Sequence, residues 1–378
     1  MKTLTNTSSL ASNLFCFIAI VFILYVLKAF IVPLLFALIF SIMMYPIAIY
    51  LERQWRFNRI TSSLTVVLLL LVVFTGLFTF IGFQIKDVFG KSEHYSERLT
   101  ELNLEVLQYT EDHFGIDKKQ ILTDKSLKME NIIKNNFSKI SDFVTQSGSF
   151  ISDIFLVPIY IFFLLLYRKF FVTFVHRAFP KKDNAYLNII LKRIYQTQQN
   201  YLSGLSVVML IVALLNSFGL LLLGIENAFF YGFLGALLLL IPYIGIIIGS
   251  LIPAFIALIT KDSAWYAVGV IGVFAFVQIM EGNFITPKIT GSKISVNAFV
   301  CILALVVFAM LWGIPGMILA LPVTATIKII FDQIPSMKPY GFLMGEPDKD
   351  YLQSTAYNRL AKWKKIREQK KKSVLHEF

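Results

Sequence analysis

The sequence predicts an all-α, polytopic helical membrane protein, and three observations carry that prediction. The chain is 57% hydrophobic and only 15% charged, against roughly 25% charged for an ordinary soluble domain. Its mean hydropathy is +0.70. Four stretches without a charged side chain, 3–27, 60–85, 227–260 and 294–327, each exceed the roughly 20 residues that cross about 30 Å of hydrocarbon. A further three, 29–50, 143–167 (with Asp153 near its start) and the apolar part of 194–225, reach spanning length.

In chain order, 1–85 holds the first three membrane spans. The opening run follows Lys2 and could be read as a signal peptide, but it lacks a small-residue cleavage pattern and is followed at once by 29–50, which predicts a retained helical hairpin. Segment 86–142 is too polar to span. Leu99, Leu102, Val106 and Tyr109, and then Ile133, Phe137, Ile140 and Val144, recur at helical spacing around a turn near Gly115, so it reads as an amphipathic helical pair outside the bilayer. Residues 143–167 are the fourth span. Residues 168–200 mix Arg168, Lys169, Phe170, Phe171, Phe174 and Arg177, which suits a helix lying in an anionic membrane interface. A transport core is expected over 201–335 and a basic tail over 336–378.

Charge fixes an expected orientation. Residues 52–59 carry three Arg against one Glu, and 168–193 carry seven basic residues against Asp183, whereas 86–142 holds nine basic and eleven acidic residues. The positive-inside rule places the first two in the cytoplasm and the third outside, with both termini cytoplasmic. The net charge of +12 thereby marks a membrane side, and the tail's basic run from Lys362 to Lys372 faces lipid phosphate or solvent; no nucleic-acid partner is expected. Cys16 and Cys301 lie in apolar runs and their spacing frames neither a disulfide nor a metal site.

The functional signal concentrates in the two uncharged runs 227–260 and 294–327. Each holds 34 residues, about 51 Å as continuous helix, which is long for one span and short for two. Each is broken near its middle, by Ile241-Pro242-Tyr243-Ile244-Gly245 and by Trp312-Gly313-Ile314-Pro315-Gly316. Proline removes a backbone donor and glycine relaxes the helix, so both breaks free peptide groups at membrane depth. The runs also correspond: Asn227-Ala228-Phe229 opens one and Asn297-Ala298-Phe299 the other, and Pro253 matches Pro322. Paired interrupted segments of this kind point to a transporter's substrate site. As re-entrant hairpins they would be inverted, with tips meeting near mid-membrane; as long kinked spans they would leave the C-terminus on the same side.

Gly245, Gly249 and Pro253, four apart, allow close backbone approach, for packing or for substrate. Between the runs lie Gln278, Glu281, Asn283, Pro287 and Lys288. A carboxylate closing an apolar helix is costly unless paired or wet, so Glu281 is a candidate for proton or cation coupling, with pairing to Lys288 or Lys293 as the alternative.

At these residues the chain resembles the autoinducer-2 exporter (AI-2E) family. The resemblance rests on Ile241 to Gly245 with Gly249 and Pro253, on Glu281-Gly282-Asn283 with Pro287-Lys288-Ile289 and Gly291, and on Leu311 to Gly316 with Leu319, Ala320 and Pro322, and extends over roughly residues 10 to 335. It implies a secondary exporter of small polar molecules in the bacterial inner membrane, proton- or sodium-coupled, with sodium/proton antiport among the family's activities. It also implies a homo-oligomer, a pentamer being one such assembly, with hairpins moving against a scaffold. Asn297-Ala298-Phe299 and Ala309-Met310 depart from the family pattern, so the resemblance does not carry a cargo with it.

Two other classes compete. A membrane scaffold would act through 86–142. An intramembrane enzyme is disfavoured: His94, His113, His176 and His376 lie outside the apolar cores, and the sequence holds no metalloprotease helix motif or phosphate-binding glycine loop. No cofactor is expected.

Overall fold

The computed structural model describes residues 4–90, 148–179, 184–241, 244–290 and 296–347, and among these every regular element is helical. Lipid offers backbone groups no hydrogen-bond partner, so a chain this apolar must satisfy them internally. The predicted amphipathic pair in 91–142, the 348–378 tail, and Pro242, Tyr243, Gly291 and Lys293 lie outside the described residues.

The chain opens with helices α1 (Leu4–Val26), α2 (Lys28–Gln54) and α3 (Arg59–Gly90). Asn58 starts α3 by accepting the Thr61 amide at 2.8 Å. Helix α4 (Gly148–Leu166) packs with α2 and α3 around Ala37, Ala48, Val66, Ile161 and Leu165. At Tyr167 the chain turns by 71° into α5 (Arg168–Ala178). There Arg168 meets Glu52 at 2.5 Å, tying the ends of α4 and α2 together. The interfacial helix expected over 168–200 is shorter than that. It ends at Ala178, and Asn184 already begins α6 (Asn184–Leu222), one helix of 39 residues, about 58 Å long. Its basic first turns therefore extend a span, because nothing between Asn184 and Asn200 breaks the helix.

The run 227–260 forms a hairpin of α7 (Ala228–Leu238) and α8 (Ile244–Thr260). At 11 and 17 residues, about 17 and 26 Å, neither limb crosses the hydrocarbon alone. The limbs close through glycine. A Cβ on Gly249 would stand 3.0 Å from the Gly235 Cα, and one on Gly245 would fall inside the Leu238 carbonyl. The outer limb lies on α6, where a Cβ at Gly232 would strike Ser217. Helix α9 (Trp265–Met280) then returns through a π-helical turn (Glu281–Ile285) into α10 (Thr286–Thr290).

Residues 298–327 of the second run lie in α11 (Ala298–Gln333), which as one straight helix would be long and apolar enough to span. Its path is folded instead. Gly313 takes φ 67°, ψ −141°, a conformation open to glycine, and a Cβ on Gly316 would fall inside the carbonyl of Phe308, eight residues earlier. The two ends also meet. Asn297 donates its backbone N–H to Met344 O at 2.9 Å, and its side-chain Nδ2 to Leu343 O at 2.7 Å and Gly345 O at 2.9 Å. These carbonyls close α12 (Lys338–Met344). A straight 36-residue helix, about 54 Å, would carry Asn297 far beyond their reach.

The hairpins enter from opposite faces. The mouth of the first sits by the end of α3, where Asn227 donates to Asp87 at 2.9 Å. The mouth of the second sits by the start of α6, where the Tyr186 hydroxyl donates to Gln333 O. The second tip leans on α1, with Trp312 Nε1 donating to Leu24 O at 3.0 Å; the first tip, at Pro242 and Tyr243, lies outside the described residues, and with it the expected meeting of tips. That indole would otherwise be an unpaired donor in lipid.

Asn297 anchors the second mouth and also caps α11 by accepting the Val300 amide at 2.9 Å. Asn297→Ala removes the cap and both side-chain donations, which should cost about 1–2 kcal/mol. The expected result is a lower melting temperature and faster chymotryptic cleavage at Phe342, which is exposed on α12. Asn297→Asp, which keeps only the cap, should fall between.

Candidate functional site

The site is built from α6 upward. Val212 and Asn216, one turn apart, face the first hairpin and α9 across a small cavity also lined by Gly235, Gly245, Gly249 and Gln278. Its volume is about 10 Å³, the scale of a single water or ion. Asn216 is 3% exposed and its Oδ1 has no hydrogen-bond partner. Leaving an acceptor buried and unpaired costs about 1–3 kcal/mol, so its retention calls for a ligand or a role.

Gln278 connects this cavity to the carboxylate. Its Nε2 donates to Glu281 Oε2 at 2.8 Å, and the Thr286 hydroxyl donates to Glu281 Oε1. The π-helical turn makes the second contact possible. An i to i+5 backbone bond from the Thr286 amide to the Glu281 carbonyl stacks residue 286 over residue 281, where an α-helix would rotate it away. Glu281 is half-buried with both oxygens engaged by neutral donors, and among the described residues no ion pair joins it to Lys288.

The structure thus brings Gly245, Gly249, Gln278 and, through Gln278, Glu281 to one place. Pro253 is fully buried in α8 as a packing residue. Asn283 donates to Ile279 O at 2.9 Å on an exposed face, and Pro287 is also exposed. Gly313, Pro315, Gly316 and Pro322 shape the second hairpin and stand apart from the cavity. Asn227 and Asn297 do precede equivalent limbs, but Asn227 is left-handed, φ 54°, and makes no side-chain cap, whereas Asn297 is extended and does.

Sequence reasoning missed the polar face of α6. Gln198, 3% exposed, donates from Nε2 to Pro322 O at 2.7 Å and Thr326 Oγ1 at 2.8 Å, leaving its Oε1 unpartnered. It lies 18 residues before Asn216, five full turns, so one face of α6 offers a buried amide to each hairpin. Uncharged amides inside a spanning helix were the available signal.

Residues 14–336 match the family described as AI-2E family transporter. Among curated relatives, the "Putative transport protein YrrI" of Bacillus subtilis is 26% identical over 325 residues, covering 81% of this chain and 86% of the relative. The "AI-2 transport protein TqsA" of Escherichia coli is 22% identical over 322 residues, covering 85% and 90%. A second Bacillus subtilis protein, "Putative transport protein YueF", is 26% identical over 315 residues, covering 79% and 82%.

Proposed function

This chain belongs to the AI-2E family of transporters, and on that premise we propose that it is a secondary exporter of a small polar solute, such as a signalling metabolite, driven by a proton or sodium gradient across the bacterial inner membrane. The observation that carries the reading is the Gln278–Glu281–Thr286 cluster beside the cavity of a re-entrant hairpin. An ionisable group at this depth is expensive, and oppositely entering hairpins are the architecture in which such a group meets a moving path. One relative is named an AI-2 transport protein, which supports a small polar cargo as the class. Arg53, Arg59, Arg168 and Lys169 flank the ends of α2, α4 and the start of α3, on the face where the second hairpin opens. That clustering supports a cytoplasmic location for this face.

The test is flux in proteoliposomes with an internal pH dye under imposed sodium or proton gradients. Parent protein should move protons in a gradient-dependent way, and Glu281→Gln should reduce the rate at least ten-fold with incorporation unchanged. An unaltered rate would remove Glu281 from the path, and no proton movement by the parent would replace coupled with uncoupled export.

A further inference from the structure

We propose that α5 and the first turns of α6 form a docking surface for anionic phospholipid, whose acyl chains meet the phenylalanine face of α5 and whose phosphate is held at the seam between Lys169 and Lys192. The inference goes beyond the export reading and does not depend on it.

Helix α5 leaves α4 at 71° and buries none of its residues. Its sequence sorts by helical spacing into two faces. Phe170, Phe171, Phe174 and Ala178 share one; Lys169, Thr173 and His176 share the other, with Arg177 at its edge. On the apolar face Phe170, Phe171 and Phe174 are 68%, 42% and 62% exposed. That face follows directly on the end of α4, where Phe163 and Tyr167 stack and are themselves exposed.

The polar face is pinned to α6 at both ends. Near the C-terminus of α5, His176 Nε2 lies 3.0 Å from Asn188 Oδ1. At its N-terminus the Arg168 guanidinium lies over the Tyr45 ring at 5.4 Å, and Tyr45 meets the Tyr195 ring edge-on, also at 5.4 Å. The two helices therefore run antiparallel here. Asn188, Lys192 and Tyr195, at four-three spacing, form the stripe opposite His176, Thr173 and Lys169. Lys169 and Lys192 fall on these facing stripes, between the pinned ends. Among the described residues of α2, α5 and α6 the only carboxylate is Glu52, and Arg168 engages it. Lys169, Arg177, Lys192 and Arg193 are exposed, and among the described residues none of them has an ion-pair partner.

Facing ammonium groups repel, and an anionic oxygen between them converts the repulsion into two charge-assisted hydrogen bonds. The occupant must also cover exposed phenylalanine on the other side of the same helix, within a width of about 10 Å. A soluble phosphate offers no hydrocarbon, and a nucleic acid would leave the rings in water. An anionic phospholipid supplies both, at the depth where an in-plane helix sets its rings in the acyl boundary and its cations at the headgroups.

The experiment follows a fluorophore on α5 in vesicles. Full-length protein with Cys16 and Cys301 replaced carries Phe174→Cys labelled with NBD. It is reconstituted in phosphatidylcholine with increasing fractions of phosphatidylglycerol or phosphatidylcholine brominated in the acyl chains. Blue-shifted emission and quenching by both lipids are expected. Brominated phosphatidylglycerol should be about five-fold more effective at equal mole fraction, the preference that one cation contributes at an anionic surface. Lys169→Gln with Lys192→Gln should reduce that preference below about two-fold. Lys288→Gln with Lys338→Gln, which removes the same charge outside α5 and α6, should keep it. Each variant is checked by size exclusion, and the preference of the labelled parent is read without any charge variant.

The emission of a label in water without quenching, the result for a helix outside the bilayer, overturns the surface. So does quenching by neither lipid, the result for a face covered by a second copy. Equal quenching by the two lipids overturns the headgroup recognition. A full preference in Lys169→Gln with Lys192→Gln, or its loss in Lys288→Gln with Lys338→Gln, overturns its assignment to the seam. Loss of the preference on adding soluble glycerol phosphate would overturn the lipid as the occupant.

Discussion

Gly316→Ala and Gly245→Ala should each sharply reduce the yield of folded, monodisperse protein, whereas Gly272→Ala should leave it unchanged. The difference lies in what a methyl group would meet. At Gly316 it enters the Phe308 carbonyl and comes within 3.1 Å of the Trp312 Cβ; at Gly245 it enters the Leu238 carbonyl; at Gly272 nothing lies within 4 Å. A colliding side chain can change rotamer, but a colliding carbonyl moves only with its hairpin limb. Overpacking typically costs about 1–3 kcal/mol and more where relief is blocked, a large part of a total stability of about 5–15 kcal/mol. Gly249→Ala, facing the Gly235 Cα at 3.0 Å, should be intermediate. Fluorescence-detected size exclusion and melting temperature read the series. Parent-like melting of Gly316→Ala would mean that the limbs of α11 are not folded against each other.

The two glycines also show what the sequence could reveal. Gly245 with Leu238 and Gly316 with Phe308 repeat one backbone contact at offsets of 71 and 70 residues, close to the offset between Asn227 and Asn297. The pairing of interrupted runs was therefore legible in spacing, as were the spans, because lipid imposes both length and composition. The choice between hairpin and kinked span was not. It depends on the backbone at Gly313 and on Asn297 reaching the α12 carbonyls, contacts that no periodicity encodes. Residues 168–200 misled for a similar reason: basic and aromatic residues suit an interfacial helix and the projecting first turns of a span alike.

The site was half legible. Glu281 announced itself as a carboxylate ending an apolar helix, and Gln278 as its polar neighbour. That Thr286 joins them depends on the π-helical turn, whose extra residue leaves no compositional mark. Asn216 and Gln198 were hidden for the opposite reason. Each is an ordinary amide in an apolar helix, and only the buried, unpartnered oxygen separates it from a residue satisfied by a neighbour.

Cysteines placed at Ala298 and Ser336, on a background with Cys16 and Cys301 replaced, should react with a membrane-impermeant maleimide from one side only. Cysteines at Glu226 and Asp262 should react only from the other. All four positions are exposed, so accessibility is decided by the membrane and the expected contrast between right-side-out and inside-out vesicles is all or none. The pairs bracket α11 and the first hairpin. If both are re-entrant, each pair must share a side, because a hairpin returns its exit to the face of its entry. The single residue range 265–289 between them crosses once, which puts the two pairs on opposite sides. A chain in which α11 crossed as one span would instead separate Ala298 from Ser336, and the Asn297 donations to Leu343 and Gly345 could not form across 30 Å of hydrocarbon. With the basic ends of α2 and α4 on the cytoplasmic side, Ala298 and Ser336 should label in inside-out vesicles. Labelling of that pair in right-side-out vesicles would keep the hairpins and reverse the orientation, while a split pair would remove the inverted architecture on which the ion coupling proposed for Glu281 depends.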